Sequence, residues 1–87
     1  MTNTNLKVEE IAPLGGSTLG GYKLGWFKTV AKAAQNDTFT VTNATYVDTA
    51  FLQIIASGVA EPNTISTNVV TMTSATATAV KGLIIYK

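Results

Sequence analysis

Neither cysteine nor histidine occurs among the 87 residues of this chain. Without cysteine there is no disulfide and no thiolate metal site to reinforce a small domain. Without histidine the commonest general base and the commonest metal ligand are missing. Charge is scarce too: 13% of residues are charged, and a net +1 gives no strong field toward nucleic acid or anionic lipid. No apolar run approaches the ~20 residues that cross a bilayer as a helix. The opening residues, MTNTNLKVEE, have no basic stretch followed by an apolar core, so the expectation is a product that folds in the cytosol without a secretory signal.

What remains is apolar and small. Hydrophobic residues make up 46% of the chain, a high share for a single domain that buries only roughly 60–65% of its unfolded surface. Low charge with this much apolar surface predicts that part of the exterior is covered by other chains.

The patterning is that of strands. The run Asn68–Lys87, NVVTMTSATATAVKGLIIYK, organises the rest, with Val69–Thr73 and Thr76–Tyr86 facing each other across a short Ser/Ala/Thr link. In its second half Val80, Ile84 and Tyr86 share one face while Leu83 and Ile85 share the other. A strand end apolar on both faces is central in its sheet or covered by a partner. Thr38–Thr42 alternates cleanly, with Phe39 and Val41 inward. Phe51–Ser57 reads as another strand, apolar on both faces. Leu24–Ala34 fits strand better than helix because of its β-branched and aromatic content. Plain alternation there groups Trp26 and Val30 with Lys28 and Lys32, and core is the favoured role for Trp26 and Phe27. Gln35-Asn36-Asp37, Asn43-Ala44 and Gly58–Asn63 carry turn chemistry. Six to eight short strands with turn signals about every ten residues predict an all-β fold, a small antiparallel sandwich or barrel.

The first 21 residues read differently. Leu6–Ile11 places Leu6 and Val8 on one face, with Ile11 breaking the alternation, and reads as a short edge strand or an arm that docks on a neighbour, while APLGGSTLGGYK (Ala12–Lys23) is loop-like. The division expected is therefore an N-terminal arm and Gly-rich loop over 1–21, dispensable for the fold, and a single β domain over 22–87.

Motifs with chemistry are not found. Gly16–Gly21 matches G-x-x-x-x-G, but Tyr22 stands where a phosphate-binding loop needs lysine. Glu9 and Glu10 are adjacent and point to opposite faces of a strand; Asp37 reads as a turn former, and Asp48 as a turn cap. Without histidine or a recognisable motif the expectation is no enzyme, no cofactor and no metal. Asn36-Asp37-Thr38 and Asn43-Ala44-Thr45 have the pattern of glycosylation sites, which means nothing without secretion. The Thr/Ala alternation of residues 71–78 reads as plain β surface, with an ice-binding or fibrous role set aside.

With its Gly-rich N-terminal arm, KTVAKAAQNDTFTV (Lys28–Val41) and the terminal VTMTSATATAVKGLIIYK (Val70–Lys87), the chain resembles the small all-β structural proteins of tailed phages and related viruses, in particular head-decoration or cement proteins. The resemblance spans most of the chain and lies in texture rather than in a motif. It implies a non-enzymatic virion protein, assembled in the host cytoplasm, that binds the outside of a shell and stabilises it. It also implies a major capsid protein or another particle subunit as partner, and a homo-oligomer, trimer favoured, with no nucleic acid and no membrane. Partner contacts are expected from the arm and the apolar strand faces: Leu6, Val8, Ile11, Leu14, Leu19, Tyr22, Leu83 and Ile85. The alternative is a small β-barrel module binding nucleic acid or carbohydrate on Tyr22, Trp26 and Phe27. A pilus-like surface module would need an export route.

Overall fold

A computed structural model describes residues 3–14 and 21–87. Its strands are β1 (Asn3–Leu6), β2 (Glu9–Leu14), β3 (Tyr22–Ala31), β4 (Asp37–Val41), β5 (Val47–Ile54), β6 (Asn63–Ser66), β7 (Val69–Met72) and β8 (Ala79–Tyr86). They form two open sheets of four, β1-β4-β7-β6 and β2-β3-β8-β5. The described residues are thus all-β, without helix, and build a sandwich rather than a closed barrel. All pairings are antiparallel except β1 with β4.

The core fills the space between the sheets. Phe27, Val30, Leu52, Ile54, Val80, Ile84 and Tyr86 face Phe39, Val41, Val70 and Met72. Phe27 and Phe39 meet across the two layers with ring centroids 5.1 Å apart. Alternation does the sorting: in β4 Phe39 and Val41 are buried while Thr38 and Thr40 are half-exposed. In β8 Val80, Ile84 and Tyr86 are buried, Leu83 is exposed and Ile85 half-buried. Two glycines let neighbours close in. A Cβ on Gly25 would collide with Val8 and stand 2.6 Å from a Tyr86 ring carbon, and one on Gly82 would run into the Phe51 carbonyl.

Three expectations change. First, Val69–Thr73 and Thr76–Tyr86 do not pair with each other. β7 lies between β4 and β6, β8 lies between β3 and β5, and residues 73–78 carry the chain from one sheet to the other. Second, residues 3–14 are not an arm apart from the domain. β1 pairs with β4, β2 pairs with β3, and Val8 at the crossover is 2% exposed. The Asn43 side chain holds that crossover by accepting from the Val8 N–H (3.0 Å) and donating to its carbonyl (2.9 Å). The Gly-rich residues 15–20, and with them the G-x-x-x-x-G match, lie outside the described residues. Third, a register shift between Phe27 and Val30 inserts Lys28 and Thr29 as a bulge. Phe27 and Val30 therefore share the core, Trp26 is turned outward, and Lys32 goes in.

Lys32 is buried against Glu61, Nζ to Oε1 at 3.2 Å, with both side chains fully enclosed. Lys32 Nζ also donates to the Ser74 carbonyl, and Glu61 Oε2 accepts from the Ser74 N–H at 2.9 Å. One ion pair thereby ties together the end of β3, the approach to β6 and the β7–β8 link. Among the described residues no buried side-chain nitrogen or oxygen lacks a hydrogen-bond partner.

Candidate interaction face

The register of the second sheet lines up outward side chains into rows. Glu9 pairs with Trp26, Trp26 with Leu83, and Leu83 with Phe51, one residue from each of β2, β3, β8 and β5. Residues opposite one another on adjacent strands share a face and touch. The next row holds Ala12, Leu24, Ile85 and Thr49. Phe51 is 60% exposed, Trp26 37% and Leu83 36%. A tryptophan, a phenylalanine and a leucine side by side on one face make a contiguous apolar patch, the kind that marks a contact surface. Charge stands at its margins, with Glu9 at one end of the Trp26 row and Lys81 one outward step from Leu83 along β8.

Two aromatic hydroxyls close one end of this face. Tyr22 and Tyr46 share a hydrogen bond of 2.7 Å, their rings edge to face, and Lys87 Nζ lies 5.4 Å from the Tyr22 ring centre. The hydrogen bond to Tyr46, helped by desolvation, raises the Tyr22 phenol above its ordinary range. At the β1–β2 crossover an open groove is lined by Lys7, Lys23 and Lys28 together with Glu9 and Glu10. Opposite charges interleave there, so its field largely cancels. Tyr86 reaches the same groove, and its phenol is raised by burial and then by Glu10.

The outer face of the first sheet is of a different kind. Its rows read Asn3, Thr38, Thr71, Thr64 and Asn5, Thr40, Val69, Ser66. Thr38 and Thr40 donate their hydroxyl protons to Asn3 Oδ1 at 2.9 and 3.2 Å. These two rows hold amides and hydroxyls with one valine and no charge.

The carboxylates are placed as follows. Asp37 Oδ2 accepts from the N–H groups of Ala33 (2.7 Å) and Ala34 (2.9 Å), the turn-forming role expected. Glu61 is held by Lys32, Asp48 accepts from the Thr49 hydroxyl at 3.0 Å within β5, and Glu9 and Glu10 diverge. Among the described residues no three of His, Cys, Asp or Glu converge as a metal set.

Of the residues expected at a partner contact, Leu83 and Ile85 lie together on the apolar face. Ile11, 55% exposed, is the extra residue of a bulge in β2, which explains the broken alternation. Tyr22 is half-buried at the end of the face, and Leu6 packs from β1 against the core. Val8 is a correction: it is a core residue and presents nothing to a partner. The backbone of Leu14 pairs with Tyr22, and Leu19 lies outside the described residues. Trp26, Leu24 and Phe51 belong to the face although sequence patterning does not assign them to it. The spacing Phe51-x-Gln53, against Leu52 and Ile54, is the signal that marks Phe51.

No protein-family model matches this chain, and neither a curated protein nor a solved structure does.

Proposed function

We propose that this protein is a non-enzymatic structural subunit of a larger protein particle. In this reading it decorates the outside of a shell and reinforces it as an oligomer, in the manner of the small β decoration proteins of tailed phages. The supporting observation is the exposed Trp26–Leu83–Phe51 row on the outer face of the β2-β3-β8-β5 sheet, apolar surface that a neighbouring subunit would cover. A nucleic-acid or carbohydrate platform of Tyr22, Trp26 and Phe27 has less behind it, since Phe27 is in the core.

Co-sedimentation with the native particle fraction of the source tests the proposal. The wild type should pellet with particles, keep doing so at raised salt, and delay thermal breakage of the shell. Phe51→Glu should stay in the supernatant while remaining folded. Loss of binding on a modest rise in salt would instead indicate phosphate contacts, and failure to pellet at all would refute the shell reading.

A further inference from the structure

We propose that Tyr22 and Tyr46 form a cross-linking site, where a one-electron oxidant joins their rings into a dityrosine that straps β3 to the start of β5 over the end of β8. The inference goes beyond the proposed function and holds whether or not the chain binds a shell.

The register of the sheet brings the two phenols together. Lys23 and Val47 pair with Tyr86 from opposite sides of β8. One residue further along, Tyr22 and Tyr46 therefore flank Lys87, whose N–H donates to the Tyr46 carbonyl at 3.0 Å. Tyr86 is buried and Lys87 exposed, so this last row points outward. The backbones of Tyr22 and Tyr46 stand two strand spacings apart, roughly 10 Å. Their hydroxyls nevertheless meet at 2.7 Å, edge to face, with Lys87 Nζ 5.4 Å from the Tyr22 ring centre. The pair thus arches over the end of β8, and both rings are half-buried, open to a reagent from solvent.

The rest of the chain leaves oxidation to this pair. Cysteine, whose thiolate oxidants readily attack, is absent. Met72 is 0% exposed and Tyr86 1%. Trp26, 37% exposed, is the competing target, but among the described residues no ring pairs with it.

The chemistry needs only the oxidant. Each phenol gives one electron to it and one proton to water, leaving two phenoxyl radicals. Their unpaired electrons spread onto the carbons ortho to oxygen, and a C–C bond forms between one such carbon of each ring. The hydrogen on each joined carbon leaves as a proton while each oxygen regains one, restoring both aromatic rings and both hydroxyls. Two electrons and two protons are lost in all, the demand of one hydrogen peroxide reduced to water by a peroxidase. Holding the rings in contact makes the coupling unimolecular, which favours it over encounters between chains. The strap spans 24 positions of sequence and so removes freedom from the unfolded chain as a disulfide does.

The test treats the full chain with a peroxidase and equimolar peroxide at low micromolar concentration. The product should be monomeric, two hydrogen atoms lighter, and carry the blue fluorescence of a biphenol. A tryptic digest should join residues 8–23 to residues 33–81, which hold Tyr22 and Tyr46 as their only tyrosines. Tyr22→Phe and Tyr46→Phe, each verified as folded by its melting curve, should lose the fluorescence, while Trp26→Phe should keep it. The strapped wild type should melt on the order of 10 °C above the untreated chain. A product that joins separate chains, a cross-link through residues 82–87, or oxygen added at Trp26 with both tyrosines intact would each overturn the proposal. Undiminished fluorescence from Tyr22→Phe would do so as well, as would a strapped chain that melts no higher.

Discussion

At the residue scale, two side chains carry opposite lessons about burial. Lys32 and Glu61 are fully enclosed and satisfied by each other and by Ser74. Removing one partner leaves a desolvated charge, so Glu61→Gln or Lys32→Met should each cost about 3–5 kcal/mol, a large part of a small domain's stability. Lys32→Met/Glu61→Leu should recover most of that loss in denaturant unfolding, since an apolar pair of similar volume often replaces a buried ion pair at no cost. The neighbours Ile84 and Ile85 make the same point along one strand. Ile84 is completely buried, and Ile84→Thr should cost about 3 kcal/mol through lost packing and a buried hydroxyl. Ile85→Thr, on the half-buried outer face, should stay within about 1 kcal/mol and act on association instead. Equal, large losses for both would place the two faces inside one core.

Tyr86 gives the fold an alkaline limit. Its phenol is raised by burial and by Glu10, so the folded state disfavours the phenolate relative to the unfolded chain. The resulting stability is fully present below about pH 10, the unfolded value, and is lost as pH rises through the folded value. Melting temperature should therefore fall more steeply above pH 10 in the wild type than in Tyr86→Phe. Parallel curves would show that Tyr86 contributes nothing to the alkaline transition.

At the scale of elements, the strands were legible and their partners were not. Thr38–Thr42 announces itself because every second residue is apolar, and Leu24–Ala34 does so through its β-branched and aromatic residues. A bulge defeats that logic, because one inserted residue moves everything after it to the opposite face. Trp26 and Lys32, which plain alternation puts on one face, thus end on opposite faces, and the apolar face is legible only at Leu83 and Ile85. Pairing is hidden because it is non-local: nothing in Leu6–Ile11 says that β1 will lie beside β4 and β2 beside β3. The structure reverses the expectation for this segment. Deleting residues 2–11 removes β1, the Val8 plug and the start of β2, and should lower the melting temperature by about 10 °C or prevent folding. An unchanged melting temperature would restore the arm reading.

At the scale of the whole molecule, the two outer faces differ in chemistry. One is apolar and crossed by aromatics; the other, around Thr38, Thr71 and Thr64, is polar and uncharged. Thr71→Lys should change stability by no more than about 0.5 kcal/mol and leave sedimentation unaltered. Phe51→Glu should leave the melting curve alone and abolish association. Equal effects of the two substitutions on sedimentation would mean that the faces are not functionally distinct.

The position of β8 has a consequence in time rather than in space. It is the last of the described strands in chain order, and it lies between β3 and β5. Until the ribosome has passed Tyr86, β5 has no strand partner in that sheet and β3 has only β2, so the sheet stays in two unjoined pieces. The nascent chain must therefore remain open while most of its apolar residues are already made, and collapse late through contacts distant in sequence. Chains interrupted before Ala79 should be aggregation-prone and protease-sensitive rather than partly folded, leaving little populated between the unfolded chain and the complete sandwich.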